Sequence, residues 1–170
     1  GAIIGADGFG YAFDGQEQVK ILQTGHVVIG DHVEIGANSC VDRATFGDTV
    51  IENGVKLDNH VHIGHNCRVG EHTVFVAQVG ISGSVEIGER CVFGGHAGAV
   101  DHVKIGDDVI VMMKTAITKD VPSHAVISGQ PAMEHQEWMK AEAFRRRFPD
   151  IYKELEKWIG EKSKSQKDAD

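Results

Sequence analysis

Residues 61–88 read VHIGHNCRVGEHTVFVAQVGISGSVEIG. An apolar residue recurs at every sixth position: Ile63, Val69, Phe75, Ile81 and Ile87. Followed outward, the same phase runs from Ile51 and Leu57 through Phe93, Ala99, Ile105 and Val111 to Ile117. Twelve consecutive hits lie far outside chance for a chain that is 41% hydrophobic. A period of six matches neither the 3.6 of a helix nor the 2 of a plain strand. It is the signature of a hexapeptide-repeat parallel β-helix. The residue two before each hit is mostly small or β-branched, from Val55, Val61 and Cys67 to Thr115. Gly follows the hit at Gly64, Gly70, Gly88, Gly94 and Gly106. Each hexad therefore reads as a short strand plus a turn, with the aliphatic side chain inside a prism. The Gly, Asp or Asn behind it is expected to take the positive-φ corner. Three hexads close a triangular coil, and coils stack at about 4.8 Å. One coil cannot bury its inner face, whereas a stack can.

The phase breaks twice. Ile29, Ile35 and Val41 obey the rule, but the next aliphatic in phase, Ile51, comes later than one hexad after Val41. A short excursion is expected around Arg43 to Asp48. Earlier, Ile4-Gly5 looks like a hexad and is followed by a long interruption, 7–25, holding Phe9, Tyr11 and Phe13. Loops that leave a regular solenoid carry function, or pack their own aromatics on the coil. Gly1 begins on a repeat already in progress, so the expectation is a fragment lacking an N-terminal part.

The composition fits one β-helix domain with a tail. There are 21 Gly and 10 His, and only 6% aromatics, as a narrow prism would give. A net charge of -8 argues against nucleic acid as the main partner. No apolar run approaches the roughly 20 residues that span a bilayer, and no signal-peptide pattern opens the chain. The three Cys lack metal or disulfide spacing. Cys67 and Cys91 fall at inward positions and read as core residues of a cytoplasmic protein.

The hexads give way after Ile117 to a turn-rich segment containing Ser128-Gly129-Gln130-Pro131-Ala132. From His135 the apolar positions take helical spacing: Trp138, Ala141, Phe144 and Phe148, then Ile151, Tyr152, Leu155, Trp158 and Ile159. Pro149 is expected to start a second helix, with Asp150 at its N-terminus. The division expected is a β-helix over 1–132, helices over 133–160 and a disordered tail over 161–170.

His60, His62 and His65 form H-x-H-x-x-H, and His96 and His102 lie about two coils on. His26, His32, His72, His124 and His135 read as turn or surface residues. A neutral His near its working pH suits a general base for acyl transfer. Three neutral His gathered from two subunits would instead hold zinc, as in a hexapeptide-repeat carbonic anhydrase. A β-helix assembly module whose histidines decorate an exposed face is the non-enzymatic alternative.

Four blocks are more specific than the bare hexad. They are Gly30-Asp31-His32-Val33-Glu34-Ile35-Gly36-Ala37-Asn38 with Val41-Asp42-Arg43; Lys56-Leu57-Asp58-Asn59 with Ile63-Gly64-His65-Asn66; Gln78-Val79-Gly80-Ile81-Ser82-Gly83-Ser84; and the early Gly5-Ala6-Asp7-Gly8-Phe9-Gly10. Together they resemble the UDP-3-O-acylglucosamine N-acyltransferases of lipid A biosynthesis, in register from residue 1 to about 147. The resemblance implies an all-β, left-handed parallel β-helix with a C-terminal α-helical extension. It also implies a cytoplasmic homotrimer and transfer of a (3-hydroxy)acyl chain to the 2-amino group of a nucleotide sugar. The donor would be the acyl-phosphopantetheine of acyl carrier protein, with no other cofactor and no metal.

By the same resemblance, His65 is the base, His102 a second His near the thioester, and Gly83 the backbone donor to the oxyanion. Asp58 lines that site and orients His65, and Asn59 and Asn66 belong to the acceptor-binding set. Met112, Met113 and Ala116 fall where the family limits acyl length. Arg145, Arg146 and Arg147 form a basic run suited to acidic acyl carrier protein. The family's N-terminal uridine-binding domain has no counterpart in these residues. Solenoid geometry agrees independently: Gly83 falls one whole coil on from His65, and His102 falls just past the second. An acetyl-coenzyme-A-dependent N-acetyltransferase acting on an amino-sugar nucleotide would use the same His.

Overall fold

The computed structural model describes the backbone of residues 1–129 and 132–167, and side chains over 1–129 and 132–159. The chain divides into two compact units at residues 130/131. The first is a parallel β-helix with three faces. One face stacks Ile3–Ala6, Cys40–Asp42, His62–Ile63, Gly80–Ile81, Gly98–Ala99 and Ala116–Ile117. The second stacks His26–Ile29, Asp48–Ile51, Arg68–Val69, Glu86–Ile87 and Lys104–Ile105. The third runs from Glu34–Ile35 through Lys56–Leu57, Val74–Phe75, Val92–Phe93 and Ile110–Val111 to Val126–Ile127.

Register follows the hexad count. Gly80 pairs with Gly98 and Glu86 with Lys104, each partner three hexads on. Where the sequence broke phase, the coil lengthens. Cys40 pairs with His62, a longer step than three hexads, and the surplus leaves the prism between Asp42 and Asp48. Ile4 pairs with Val41, a coil about twice the regular length, and most of that surplus is an antiparallel hairpin of Tyr11–Phe13 and Gln18–Lys20.

The interior is two columns per face. The hexad aliphatics and the residues two before them are buried together, among them Val55, Val61, Ile63, Val79, Ile81, Val85 and Val109. Phe75 and Phe93 stack with centroids 4.7 Å apart. Cys67 and Cys91 are buried in these columns and donate to the carbonyls of Ser82 and Gly106 at 3.0 and 3.1 Å. Burial pushes the Cys67 thiol up to about 11, so it is protonated and inert at neutral pH.

The corners differ from the expectation. From Gly30 to Gly106, the Gly behind each hexad aliphatic does not hold the positive φ, although Gly5 behind Ile4 does. That conformation falls two residues later, at His32, Asn38, His60, Asn66, His72, Gln78, Ser84, Arg90, His96, His102, Asp108, Lys114 and His124. The left-handed region is uncommon for side-chain-bearing residues, and Asn, Asp and His are enriched there. Six of the ten histidines occupy such corners, which accounts for much of the chain's histidine content. The glycines answer a different need, close approach to the next coil. A Cβ on Gly64 would sit 2.8 Å from the Gly83 nitrogen, and one on Gly36 would sit 2.6 Å from the Asp58 carbonyl carbon.

The second unit is one helix, His135–Lys167, rather than two. It opens where Glu134 Oε2 accepts from the backbone N–H of Gln136 at 2.8 Å and of Glu137 at 3.2 Å. Pro149 lies inside it. Proline removes one N–H from the helical ladder, and here the turns on either side carry the helix past it. The helix also covers 161–167, where a disordered tail was expected. Glu161, Lys162 and Lys164 are good helix formers despite their polarity. Residues 168–170 of that expected tail, like Gln130 and Pro131, lie outside the described residues.

Because Ile81 is fully buried between neighbouring coils, Ile81→Ala should cost about 2–5 kcal/mol. Chemical denaturation of the variant against the parent checks this.

Candidate active site

The edge that follows the first face carries His65, Gly83 and His102 on successive coils. Their backbones are tied directly: Ser84 N–H donates to the His65 carbonyl at 2.8 Å, and His102 N–H to the Gly83 carbonyl at 3.2 Å. The three residues line one cavity of about 440 Å³ with Phe9, Asp42, His62, Gly80, Ser82 and Asp101. Gly80 leaves open space where a side chain would stand, so the floor between His62 and Gly98 is flat.

His65 is held by Asn66. Its Nδ1 lies 3.0 Å from Asn66 Oδ1. The Asn66 amide is itself fixed by the first excursion: Oδ1 accepts from Thr45 N–H at 2.9 Å, and Nδ2 donates to the Phe46 carbonyl at 2.8 Å. With Oδ1 committed as acceptor, the network assigns the ring proton to Nδ1. Nε2 is then left with a lone pair, the form a general base needs. That nitrogen lies over Gly83, where a Cβ would stand 2.5 Å from it. The Gly83 N–H makes no hydrogen bond to a described residue and is available to a ligand.

The second excursion closes the other side. Gly8 packs so tightly that a Cβ there would be 2.6 Å from His65 Cβ and 2.8 Å from Gln23 Oε1. Gln23 is buried; it accepts from the Thr45 hydroxyl at 3.0 Å and donates to the Ile21 carbonyl at 3.1 Å. Arg43 Nε donates to the Gly5 carbonyl at 2.9 Å. The two excursions thus bind each other and converge on His65. Phe9 rides on the hairpin arm at the mouth of the cavity, tilted against Tyr11 with centroids 5.1 Å apart.

The electrostatics centre on Asp42. Its side chain is buried, and burial pushes the carboxyl up. The imidazoles of His62 and His65 pull it down, and Asp7 adds to the rise. His62 Nε2 stands 3.6 Å from Asp42 Oδ2. A hydrogen bond from Lys20 at 2.5 Å holds the Asp7 carboxyl below the usual range.

Other expected site residues fall elsewhere. Within one chain Asp58 does not touch His65. It lines a separate groove with Glu34, Lys56 and Val74, and its carboxylate accepts from Asn59 N–H at 2.7 Å and Ala77 N–H at 3.1 Å. It is a corner cap: the sequence adjacency of Asp58-Asn59 to His65 hides a turn of the prism between two faces. Asn59 Oδ1 likewise accepts from Ala37 N–H at 2.8 Å. Met112 and Met113 are exposed beyond the third face, and Ala116 pairs with Gly98 on the first. Arg145 and Arg146 both pair with Glu142, whose carboxyl they hold down to about 2. Arg147 makes no ion pair with a described residue. Among the described residues, no three His, Cys, Asp or Glu side chains converge as a metal set. No helix there is long and apolar enough to cross a membrane.

Comparison with known proteins agrees with this architecture. The bacterial transferase hexapeptide (six repeats) family matches residues 48–83, and the hexapeptide repeat of succinyl-transferase matches 26–59 and 84–119. The UDP-3-O-acylglucosamine N-acyltransferase of Helicobacter hepaticus is 51% identical over 149 residues, 87% of this chain and 46% of that protein. UDP-3-O-acylglucosamine N-acyltransferase 1 of Gloeobacter violaceus is 52% identical over 155 residues, 91% of this chain and 44% of that protein. The chain spans about half the length of the curated relatives it matches. Among solved structures, the UDP-N-acetylglucosamine O-acyltransferase of Moraxella catarrhalis superposes with a TM-score of 0.66 at 32% identity, over 83% of this chain and 55% of that one. With hexads along the prism matched by both repeat models, the chain is a hexapeptide-repeat protein, and over most of its length it is about half identical to UDP-3-O-acylglucosamine N-acyltransferases.

Proposed function

We propose that this β-helix catalyses acyl transfer from acyl carrier protein to the 2-amino group of a UDP-3-O-acylglucosamine, in the cytoplasm, as a step of lipid A biosynthesis. The observation that carries this reading is His65 Nε2 packed against Gly83, whose N–H bonds to no described residue, in one cavity. His65 Nε2 takes the proton from the attacking amine. The Gly83 N–H meets the thioester oxygen as it becomes an oxyanion. His102, exposed one coil beyond, stands on the side from which the phosphopantetheine arm carries the acyl chain. Acetyl-coenzyme A with an amino-sugar nucleotide is the second reading, and the flat floor at Gly80 and Gly98 is open enough for either donor.

His65→Ala should lower the transfer rate about 100- to 10,000-fold with the fold intact, because His65 lies outside the buried columns. Gly83→Ala should lose a comparable amount, by pressing a methyl on Nε2. Turnover of either variant near the parent rate, measured by mass spectrometry of the acylated nucleotide sugar, would sink the assignment.

We infer a homotrimer. Val92, Ile110 and Val126 form an exposed apolar column on the third face, with Val76 and Met112 also exposed. On the helix, Phe144, Phe148, Ile151, Leu155 and Trp158 recur at alternating steps of four and three and stand about half exposed. That is the spacing of a helix that packs against other helices, and cyclic association closes such faces. Multi-angle light scattering is expected to give three times the chain mass; a stable monomer overturns the inference.

The basic run remains the proposed dock for acyl carrier protein, reduced to the member that leaves Glu142 alone. Arg147→Glu leaves the Glu142 pairs intact. It should raise KM for acyl carrier protein and weaken its salt dependence, with no change for a short acyl-pantetheine donor. Equal loss with both donors would reject docking.

A further inference from the structure

Asp42 is a buried carboxylate that the fold does not use. It is 6% exposed and opens into the His65 cavity. Other carboxylates of the β-helix have evident work. Asp58 and Asp107 cap corner N–H groups, and Asp108 pairs with Arg90. Asp42 accepts no hydrogen bond from a described residue, and its ion-pair partner is His62 Nε2 at 3.6 Å. Its carboxylate oxygens are not sealed in the core but reach the cavity, and an ionised carboxylate is an acceptor with several empty sites. A carboxylate that lines the same cavity as His65 and Gly83, close enough to His65 to feel its charge, suits a ligand that donates.

We propose that Asp42 recognises the attacking amine itself, accepting its second N–H, and that His62 positions the carboxylate. The inference rests on the N-acyl-transfer reading above. In that reaction the amine nitrogen bonds to the thioester carbon and the carbon–sulfur bond breaks. One N–H proton passes to His65 Nε2 and ends on the departing thiol sulfur. Positive charge gathers on nitrogen while this happens, and a fixed carboxylate beside it stabilises that charge more than it does the neutral amine. The counting of hydrogens gives the selectivity. A neutral primary amine has two: one for His65 and one for Asp42. A hydroxyl has one, which His65 takes, and the carboxylate would then face an oxygen lone pair. Asp42 therefore makes the site one for amines and against alcohols.

The test uses the intact protein with two acceptors, the 3-O-acylated UDP-glucosamine and its 2-hydroxyl counterpart. The parent should favour the amine in kcat/KM by about 10- to 100-fold, the range of a hydrogen bond to a charged group. Asp42→Asn and Asp42→Ala should lose that margin by lowering kcat/KM on the amine, with no loss on the hydroxyl acceptor. Thermal stability separates this from a structural role. His62, His65 and Asp7 face the carboxyl, and burial raises it on balance. Its contribution to stability is therefore present at acid pH, below the unfolded value, and is lost as pH rises through the folded one. At neutral pH Asp42→Asn should melt at or above the parent temperature. Retention of the amine margin by either variant, equal loss on both acceptors, or a lowered melting temperature for Asp42→Asn would each overturn the proposal. If the parent itself fails to acylate the amine, the acyl-transfer reading fails first and takes this inference with it.

Discussion

The close approach of successive coils at their corners governs the rest of this molecule. Strand spacing brings each corner within about 4.8 Å of the next, and the backbone of one coil then fills the space where a Cβ of its neighbour would be. Gly64 against Gly83 and Gly36 against Asp58 are instances. Turning the chain in so little room requires one left-handed residue per corner, and thirteen side-chain-bearing residues adopt it. Each is strained only modestly, and backbone hydrogen bonds tie these corners to their neighbours, as Ser84 and His102 show. The same crowding sets His65 against a glycine and so defines what can approach its ring.

The two departures from the repeat serve one residue. The short excursion supplies Thr45 and Phe46 to the Asn66 amide, and the long one supplies Gly8 and Gln23 to the flank of His65. A regular corner would leave an imidazole free to rotate. Here its tautomer is fixed through a chain of hydrogen bonds whose far end is the Gln23 carboxamide. Preorganisation of this kind lets a base act without first reorganising its surroundings.

Much of this was legible in the residues. The hexad phase located the buried columns because nothing but an aliphatic or a small side chain fits the prism, and its two breaks located the excursions. The resemblance singled out Gly83 and His102, and coil spacing agreed in putting them on the edge of His65. The corners were misassigned because glycine signals both positive φ and close approach, and it is close approach that the glycines behind the aliphatics serve. The resemblance assigned Asp58 to the site of His65, and within one chain a full corner of the prism separates the two. Asp42 lay within a recognised block, yet a carboxylate buried at the wall of a cavity has no signature in a sequence. Pro149 suggested a break because a local rule says nothing of the helix-forming residues on either side.

The edge has one more property. Side chains on it occur only at whole coils, so reactive groups along the axis are spaced in steps of about 4.8 Å and nowhere between. Insertion of one complete coil would move His102 one step from Gly83 without disturbing either. Any other length must be expelled at a corner, as the residues near Arg43 are. Substrates of different length can therefore be accommodated on such a scaffold by indexing the positions of groups along the edge, while the fine adjustment is left to the reach of each side chain.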